Sequence, residues 1–410
     1  MPSTSIGDPL QQVRVEFSVA SDALTPGGEA EFLARVVSLA TTRQRLALAV
    51  ALDVSPSMDG ERIFFAKYAL INLLDKLEPG DSIALIAFCR RANVVYGPKT
   101  IESGDDILEA KRVVARLKLC PGTNIAEALE ASVATAKEMA SKGGIARIIF
   151  LTDGQPTVGE KKPEKILDKL YKALGEEEIP IVAIGIGKEY NERLLLDIVE
   201  ATNGNLEHIS DLLELDKFIA QEAMKAAQVV AKNLQLIIRH PQWLEVNVYG
   251  RKHRRIDGQT IIDVGYLSSG EVVDIGGSLK APESASENAE ATITVKVKYI
   301  DQARGLPVES AESPPLKLPV RPRARVVDEF VKYKVGLMRA SVGLKEAIKS
   351  RDYRRAVEYL RVIAEGTLSL GDLNLREKTV DILEMLERGE VEEATRRAAS
   401  LAHKISKGEE

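Results

Sequence analysis

The chain has 410 residues, 45% of them hydrophobic and 29% charged, with a formal net charge of −5. That length exceeds what one hydrophobic core usually serves, so two or three domains are expected. The acidic balance argues against nucleic acid as a partner, and no stretch offers the roughly 18 uninterrupted apolar residues of a membrane span.

The opening segment, Met1 to Asp8, lacks the basic region and apolar core of a signal peptide, so a cytoplasmic protein is expected. Gln12 to Ala20 alternates, with Val13, Val15, Phe17 and Val19 on one side and Arg14, Glu16 and Ser18 on the other, as a half-buried strand does. Pro26-Gly27-Gly28 marks a turn, and Glu31 to Leu39 reads as a second strand.

From Leu46 to Leu52 the run is unbroken and apolar, the pattern of a central strand covered on both faces. Asp53 stands at its exit. Ser55 and Ser57 follow two residues apart, so a locally extended chain brings both hydroxyls to the side of Asp53. Pro56 fixes one backbone angle in this turn. Met58-Asp59-Gly60 then leads into a helix, with Phe64, Phe65, Tyr68, Ala69 and Leu73 at helical intervals. Further along, Thr123 follows Pro121-Gly122 and precedes the helical stretch Ile125 to Met139. Ile148 to Leu151 is a short buried strand that Thr152-Asp153-Gly154 ends with a carboxylate and a turn glycine. Strands alternating with helices predict a largely parallel sheet with helices on both faces, whose strand ends are where ligands bind.

Taken singly, Asp53-x-Ser55-x-Ser57, Thr123 and Asp153 are ordinary caps and turn residues. Taken together they offer two carboxylates and three hydroxyls from strand ends and adjoining loops. Hard oxygen donors of this kind suit Mg²⁺, Mn²⁺ or Ca²⁺. Cys89 ends the strand Ile83 to Phe88, and Cys120 lies three residues before Thr123. Two cysteines fit a reducing compartment as unrelated buried thiols; the alternative is a disulfide or redox pair on the metal-bearing edge.

Leu212 to Val230 reads as one long helix. Strands follow at Leu234 to Ile238, Trp243 to Tyr249, Thr260 to Val264, Glu271 to Ile275, Thr292 to Tyr299 and Leu316 to Val320, which argues a sandwich. The two N-terminal strands have no partner of their own, and a lone hairpin is marginal in water. They are therefore expected to join this sandwich, with the metal domain inserted between. The basic run Arg251-Lys252-His253-Arg254-Arg255 reads as a solvated hairpin loop, and Ala281 to Asn288 as a mobile polar connection. Beyond Pro322 the pattern is helical: Val326, Phe330, Val335, Leu344, Leu360, Val380, Leu383 and Leu386 recur at helical intervals, broken at Gly371-Asp372 and Gly389. The Arg/Glu-rich remainder reads as a solvated face. The expected division is 10–44 for the first sandwich strands, 45–231 for the metal domain, 232–322 for the rest of the sandwich and 323–410 for the helical module.

Residues 45–231 resemble a von Willebrand factor type A domain. The likeness is carried by Asp53-Val54-Ser55-Pro56-Ser57, by Leu77-Glu78-Pro79-Gly80-Asp81-Ser82 and the strand after it, by Phe150 to Thr157 and by Ile181 to Gly187. The resemblance implies that Asp53, Ser55, Ser57, Thr123 and Asp153 form a metal-ion-dependent adhesion site. It implies too that the metal is Mg²⁺ (or Mn²⁺ or Ca²⁺), that a partner protein's Asp or Glu completes the coordination, and that the domain's last helix moves between affinity states. Pro56 stands where many relatives carry glycine. More loosely, the whole plan resembles bacterial and archaeal von Willebrand A proteins with a sandwich and helical tail, some of which work beside ring ATPases or in assembly complexes. The metal domain also resembles that of inter-alpha-trypsin inhibitor heavy chains.

The expected fold is a doubly wound, mostly parallel sheet of von Willebrand A type inserted in a β-sandwich, with a C-terminal helical module. The expected function is a metal-dependent protein-binding adaptor that is not an enzyme. The rivals are a metal-dependent hydrolase and a scaffold whose metal only holds loops together. Against hydrolysis, His208, His240, His253 and His403 all lie outside the metal loops, Cys89 has no evident base, and neither Gly-x-Ser-x-Gly nor a P-loop occurs.

Overall fold

A computed structural model describes residues 2–10, 12–40, 43–153, 155–186, 190–209 and 214–408. Met1, Gly154, Gly187 and Leu212, which figure in the expectations above, lie outside the described residues. The chain divides into two compact units, Arg43–Val229 and the combination of Met1–Thr42 with Val230–Glu410.

The chain opens with β1 (Ser3–Gly7), β2 (Val13–Val19) and β3 (Glu29–Ser38). The alternation in β2 has its expected cause, since Val13, Val15, Phe17 and Val19 are all fully buried. Strand β1 pairs antiparallel with β2, from Ser3↔Ser18 to Gly7↔Arg14. Its only buried residue is Thr4, so it has no apolar face to announce it.

The unit Arg43–Val229 holds β4 (Leu46–Asp53), α1 (Glu61–Leu74), β5 (Ser82–Phe88), β6 (Ala92–Thr100), α2 (Gly104–Arg116), α3 (Ile125–Ser141) and β7 (Ile145–Thr152). It continues with α4 (Pro163–Leu174), β8 (Ile181–Ile186), α5 (Glu192–Ala201), β9 (Leu206–Ile209) and α6 (Leu215–Ala227). The sheet order is β6-β5-β4-β7-β8-β9. All neighbours are parallel except β6, which runs antiparallel on β5.

Every residue of β4, β5, β7 and β8 is buried, as central strands require. Side chains alternate across the sheet. Leu46, Leu48, Val50 and Leu52 pack in one core with residues of α1, α2 and α6. Ala47, Ala49 and Ala51 lie on the other face, where their small side chains let α3 approach β4. At the opposite end from the strand exits, the fully buried Asp81 accepts from the Leu46 and Glu78 amides, both at 2.9 Å, and pairs with Arg43 at 2.7 Å. The starts of β4 and β5 are thereby pinned to one carboxylate.

The long helix expected over Leu212 to Val230 is shorter. Helix α6 ends at Ala227, and Val229 and Val230 already belong to the next strand. Two adjacent β-branched residues favour extended chain over a further helical turn.

That strand is β10 (Val229–Arg239), followed by β11 (Glu245–Val248), β12 (His253–Ile256), β13 (Gln259–Ser268), β14 (Val272–Lys280), β15 (Glu290–Asp301), β16 (Pro307–Glu309) and β17 (Leu316–Pro319). Two antiparallel sheets result, ordered β1-β2-β3-β14-β11 and β12-β13-β10-β15-β16, with β17 also on β15. The N-terminal strands join through β3, which pairs with β14 from Glu29↔Lys280 to Val37↔Val272. Phe17 and Phe32 share a core with Leu236, Ile262 and Val295, so the two sheets face each other as a sandwich.

The basic run is not a loop throughout. His253, Arg254 and Arg255 lie in the exposed edge strand β12, paired to β13 across a turn at Asp257-Gly258. Both turn residues have positive φ, 42° and 73°, the requirement of a two-residue hairpin that Asp-Gly meets.

Four helices close the chain: α7 (Glu329–Ser350), α8 (Tyr353–Leu370), α9 (Leu373–Glu387) and α10 (Val391–Lys407). The buried face of α9 is Leu375, Thr379, Ile382 and Met385, so Val380, Leu383 and Leu386 are only half-buried. The expectation of a solvated charged face fails for α10, whose Glu393, Arg396 and Lys407 are buried. Its Ala394, Ala398, Ala399 and Ala402 permit close packing, which covers the aliphatic stems of the longer side chains. Beside it Arg397 reaches Glu393 at 3.0 Å and Asp381 at 2.9 Å.

Candidate metal centre

Asp53 is the last residue of β4 and is fully buried. Its Oδ1 accepts the Ser55 amide at 2.9 Å, and its Oδ2 accepts the Thr152 hydroxyl at 2.7 Å. Burial pushes this carboxyl up to about 6; the bonds from Thr152 and Ser55 oppose the rise, and the nearby charge of Asp153 adds to it. Such a carboxylate gains from any cation placed beside it.

The loop after Asp53 makes a short 3-10 turn, Pro56–Met58, with the Met58 amide donating to the Ser55 carbonyl at 3.0 Å. Pro56 opens this turn, where no amide donor is needed. Met58 is fully buried and anchors the loop from below. The loop therefore holds Ser55 Oγ and Ser57 Oγ 2.9 Å apart, and Ser57 Oγ donates to Asp153 Oδ1 at 2.8 Å.

Asp153, also fully buried, follows directly on β7. Its second oxygen receives Arg62 Nη1 at 2.6 Å, and the same nitrogen donates to the Ser57 carbonyl at 3.0 Å. Arg62 comes from the first turn of α1.

Thr123 sits in the adjoining loop and is 3% exposed. Its amide donates to Thr157 Oγ1 at 2.9 Å, and its carbonyl accepts the Thr157 amide at 3.0 Å. Gly122, at φ +88°, has no room for a side chain, because a Cβ would lie 2.3 Å from Val158 Cγ2.

Cys89 and Cys120 are joined in a disulfide with Cα atoms 5.8 Å apart, which corrects the expectation of unrelated thiols. Around it the Cys120 amide donates to the Val54 carbonyl at 2.8 Å, and the Asn124 amide to the Cys89 carbonyl at 2.8 Å. The Thr123 loop is thus stitched to the exits of β4 and β5.

Hydrogen bonds link Asp53, Ser55, Ser57 and Asp153 directly, and backbone and disulfide bonds bring the Thr123 loop alongside. Among the described residues no three His, Cys, Asp or Glu side chains gather around a potential metal position. An ion here would rest on two carboxylates and on hydroxyls. That all-oxygen set fits a hard divalent cation.

Three participants were not singled out from the sequence: Arg62, Thr152 and Thr157. Thr152 precedes Asp153 directly, and a hydroxyl at the end of an otherwise apolar strand is its one signal. The histidines lie elsewhere. His208 is buried 3.0 Å from the Tyr190 hydroxyl, His240 bonds Thr260, His253 is exposed on β12, and His403 is buried on α10.

Residues 47–221 match the family model of the von Willebrand factor type A domain. An uncharacterized protein of Synechocystis is 28% identical over 220 residues, which cover 53% of this chain and 51% of that protein. Inter-alpha-trypsin inhibitor heavy chain H4 of Bos taurus is 32% identical over 183 residues, covering 42% of this chain and 20% of the relative. The chain thus spans about half, or less, of the length of these curated relatives. Among solved structures, von Willebrand factor type A from Catenulispora acidiphila has a TM-score of 0.73 at 17% identity, covering 99% of this chain and 98% of that one. The ArnB paralog VWA2 from Sulfolobus acidocaldarius has a TM-score of 0.68 at 19% identity, covering 97% and 99%. At these identities the likeness is one of fold, and it extends over nearly the whole chain.

Proposed function

Because residues 47–221 are a von Willebrand factor type A domain, we propose that this chain is a protein-binding adaptor. A divalent ion held by Asp53, Ser55, Ser57, Thr123 and Asp153 would take an acidic residue of the partner. Domains of this family commonly mediate protein interactions. The observation that carries the proposal is the hydrogen-bonded path Asp53, Ser55, Ser57, Asp153 between two fully buried carboxylates at strand exits. Mg²⁺ is the proposed ion, with Mn²⁺ or Ca²⁺ able to take its place.

Binding is favoured over hydrolysis by where the acid-base groups stand. Ser57 pairs with Ser55 and with Asp153, whose other oxygen is held by Arg62, and His208 and His240 are bonded to Tyr190 and Thr260 instead. A ring ATPase or an assembly complex is the class of partner to test first. A cytoplasmic setting carries a condition, since the Cys89–Cys120 bridge persists inside cells chiefly in hyperthermophiles.

Affinity capture tests the proposal. Capture of one partner with Mg²⁺, lost both with chelator and in Asp53→Ala of retained fold, supports recognition through the metal. Capture unchanged by either would leave a scaffold with a structural ion at most.

A further inference from the structure

Arg62 lies outside the five expected ligands, yet it makes the shortest contact to one of them. Its Nη1 is 2.6 Å from Oδ2 of the fully buried Asp153, whose other oxygen already accepts the Ser57 hydroxyl at 2.8 Å. Arg62 therefore supplies positive charge to the carboxylate that a divalent ion would use. A guanidinium keeps its proton at any ordinary pH, so this charge can be moved but not titrated away. It has somewhere to go, because the Arg62 side chain is 30% exposed.

We propose that Arg62 is a tethered counter-ion that determines specificity for an acidic ligand. It competes with the divalent ion for Asp153, and once the ion holds that carboxylate, Arg62 receives the partner's carboxylate. This role presupposes the metal-dependent binding proposed above. Three positive charges around one buried carboxylate repel one another, and an incoming anion relieves that repulsion. Metal and carboxylate therefore bind cooperatively, each raising affinity for the other. The planar, two-pronged guanidinium suits the second half of the task, because it can hold both oxygens of a carboxylate.

The test is a Mn²⁺ titration of the full chain by calorimetry, with and without acetate as the carboxylate probe, in wild type, Arg62→Gln and Arg62→Lys. Circular dichroism verifies the fold. Removing the competing charge should tighten Mn²⁺ binding about tenfold in Arg62→Gln. Acetate should tighten Mn²⁺ binding by wild type and do so several-fold less in Arg62→Gln, where only the ion's own bond to acetate remains; an undiminished effect there overturns the role. Arg62→Lys, which retains the charge, should stay near wild type for Mn²⁺ alone. A merely structural arginine predicts the opposite sign, weaker Mn²⁺ binding in Arg62→Gln. Equal or weaker binding in that variant, no acetate effect in wild type, or a lysine variant as tight as the glutamine one each overturns the role. Should Arg62→Gln fail to fold, Arg62→Met carries the same expectations. Absence of Mn²⁺ binding by wild type would overturn the metal-dependent function itself, and the Arg62 role with it.

Discussion

The backbone amide of Cys120 donates to the carbonyl of Val54 at 2.8 Å, one residue beyond Asp53, while its sulfur is bonded to Cys89. A single residue thereby ties the Thr123 loop both to the Asp53 loop and to the exit of β5. The bridge closes a sequence separation of 31 residues, for which loop entropy predicts about 3–4 kcal/mol of stabilisation. Reduction, or Cys89→Ser with Cys120→Ser, should lower the urea midpoint accordingly and weaken Mn²⁺ binding. Identical midpoints with and without reductant would show that the bridge stabilises nothing.

Ser57 is exposed, yet its hydroxyl joins Ser55 to the buried Asp153. Ser57→Ala should cost the apo protein only about 1 kcal/mol, the net worth of one hydrogen bond. Its effect on ion binding should be far larger. Wild type in Mg²⁺ at a hundred times Kd gains about 2.7 kcal/mol, and that gain should vanish in the variant. Thermal melts with Mg²⁺ and with chelator measure both; a retained Mg²⁺ shift would remove Ser57 from the ligand set.

His240 gives the sandwich a pH dependence. Burial lowers its pKa from 6.5, and the charge of Arg255 lowers it further against the opposing bond to the Pro241 carbonyl. The unfolded chain therefore takes up a proton near 6.5 that the folded chain refuses. Stability is fully present above that pH and is lost as pH falls toward the lowered folded value, by up to about 1.4 kcal/mol per pH unit. Urea unfolding between pH 7.5 and 5 should show a shallower decline in His240→Gln; equal slopes would assign the acid sensitivity to other groups.

Gly277 lies where β14 meets both β11 and β3. A Cβ there would stand 2.1 Å from the Asn247 carbonyl oxygen and 2.5 Å from the Phe32 ring. Neither the backbone nor a ring in the core can give way easily, so Gly277→Ala should destabilise the sandwich by about 3 kcal/mol. Mn²⁺ affinity should be unchanged, as calorimetry on the folded variant can verify. A melting temperature equal to wild type would show that the sheet adapts.

What the sequence disclosed depended on whether apolar residues marked the place. Asp53 and Asp153 stood out because each interrupts an apolar run, and Ser55 and Ser57 followed from their spacing to Asp53. Arg62 was hidden, since an arginine in the first turn of an amphipathic helix looks like any surface charge until its partner across the fold is known. The pairing of Cys89 with Cys120 was legible only as the alternative to unrelated thiols, because sequence separation does not report distance in space. Strand β1 has no apolar stripe, and β12 is built from exposed basic residues, so periodicity missed both. The Asp257-Gly258 turn was the available signal for β12. The end of α6 was misplaced because Val229 and Val230 continue an apolar pattern that suits helix and strand alike.

The parallel pairing of β4 with β7, Leu52 beside Leu151, has a last consequence. It brings Asp53, the last residue of β4, beside the end of β7, and Asp153 follows directly on that strand, so both carboxylates hang from backbone spaced as neighbouring strands are, about 4.8 Å apart. That spacing belongs to every sheet and cannot drift with side-chain changes. The surrounding loops and the exposed face of α1 can be rewritten without moving the carboxylates. An architecture of this kind lets the choice of partner diversify while the chemistry of attachment stays constant.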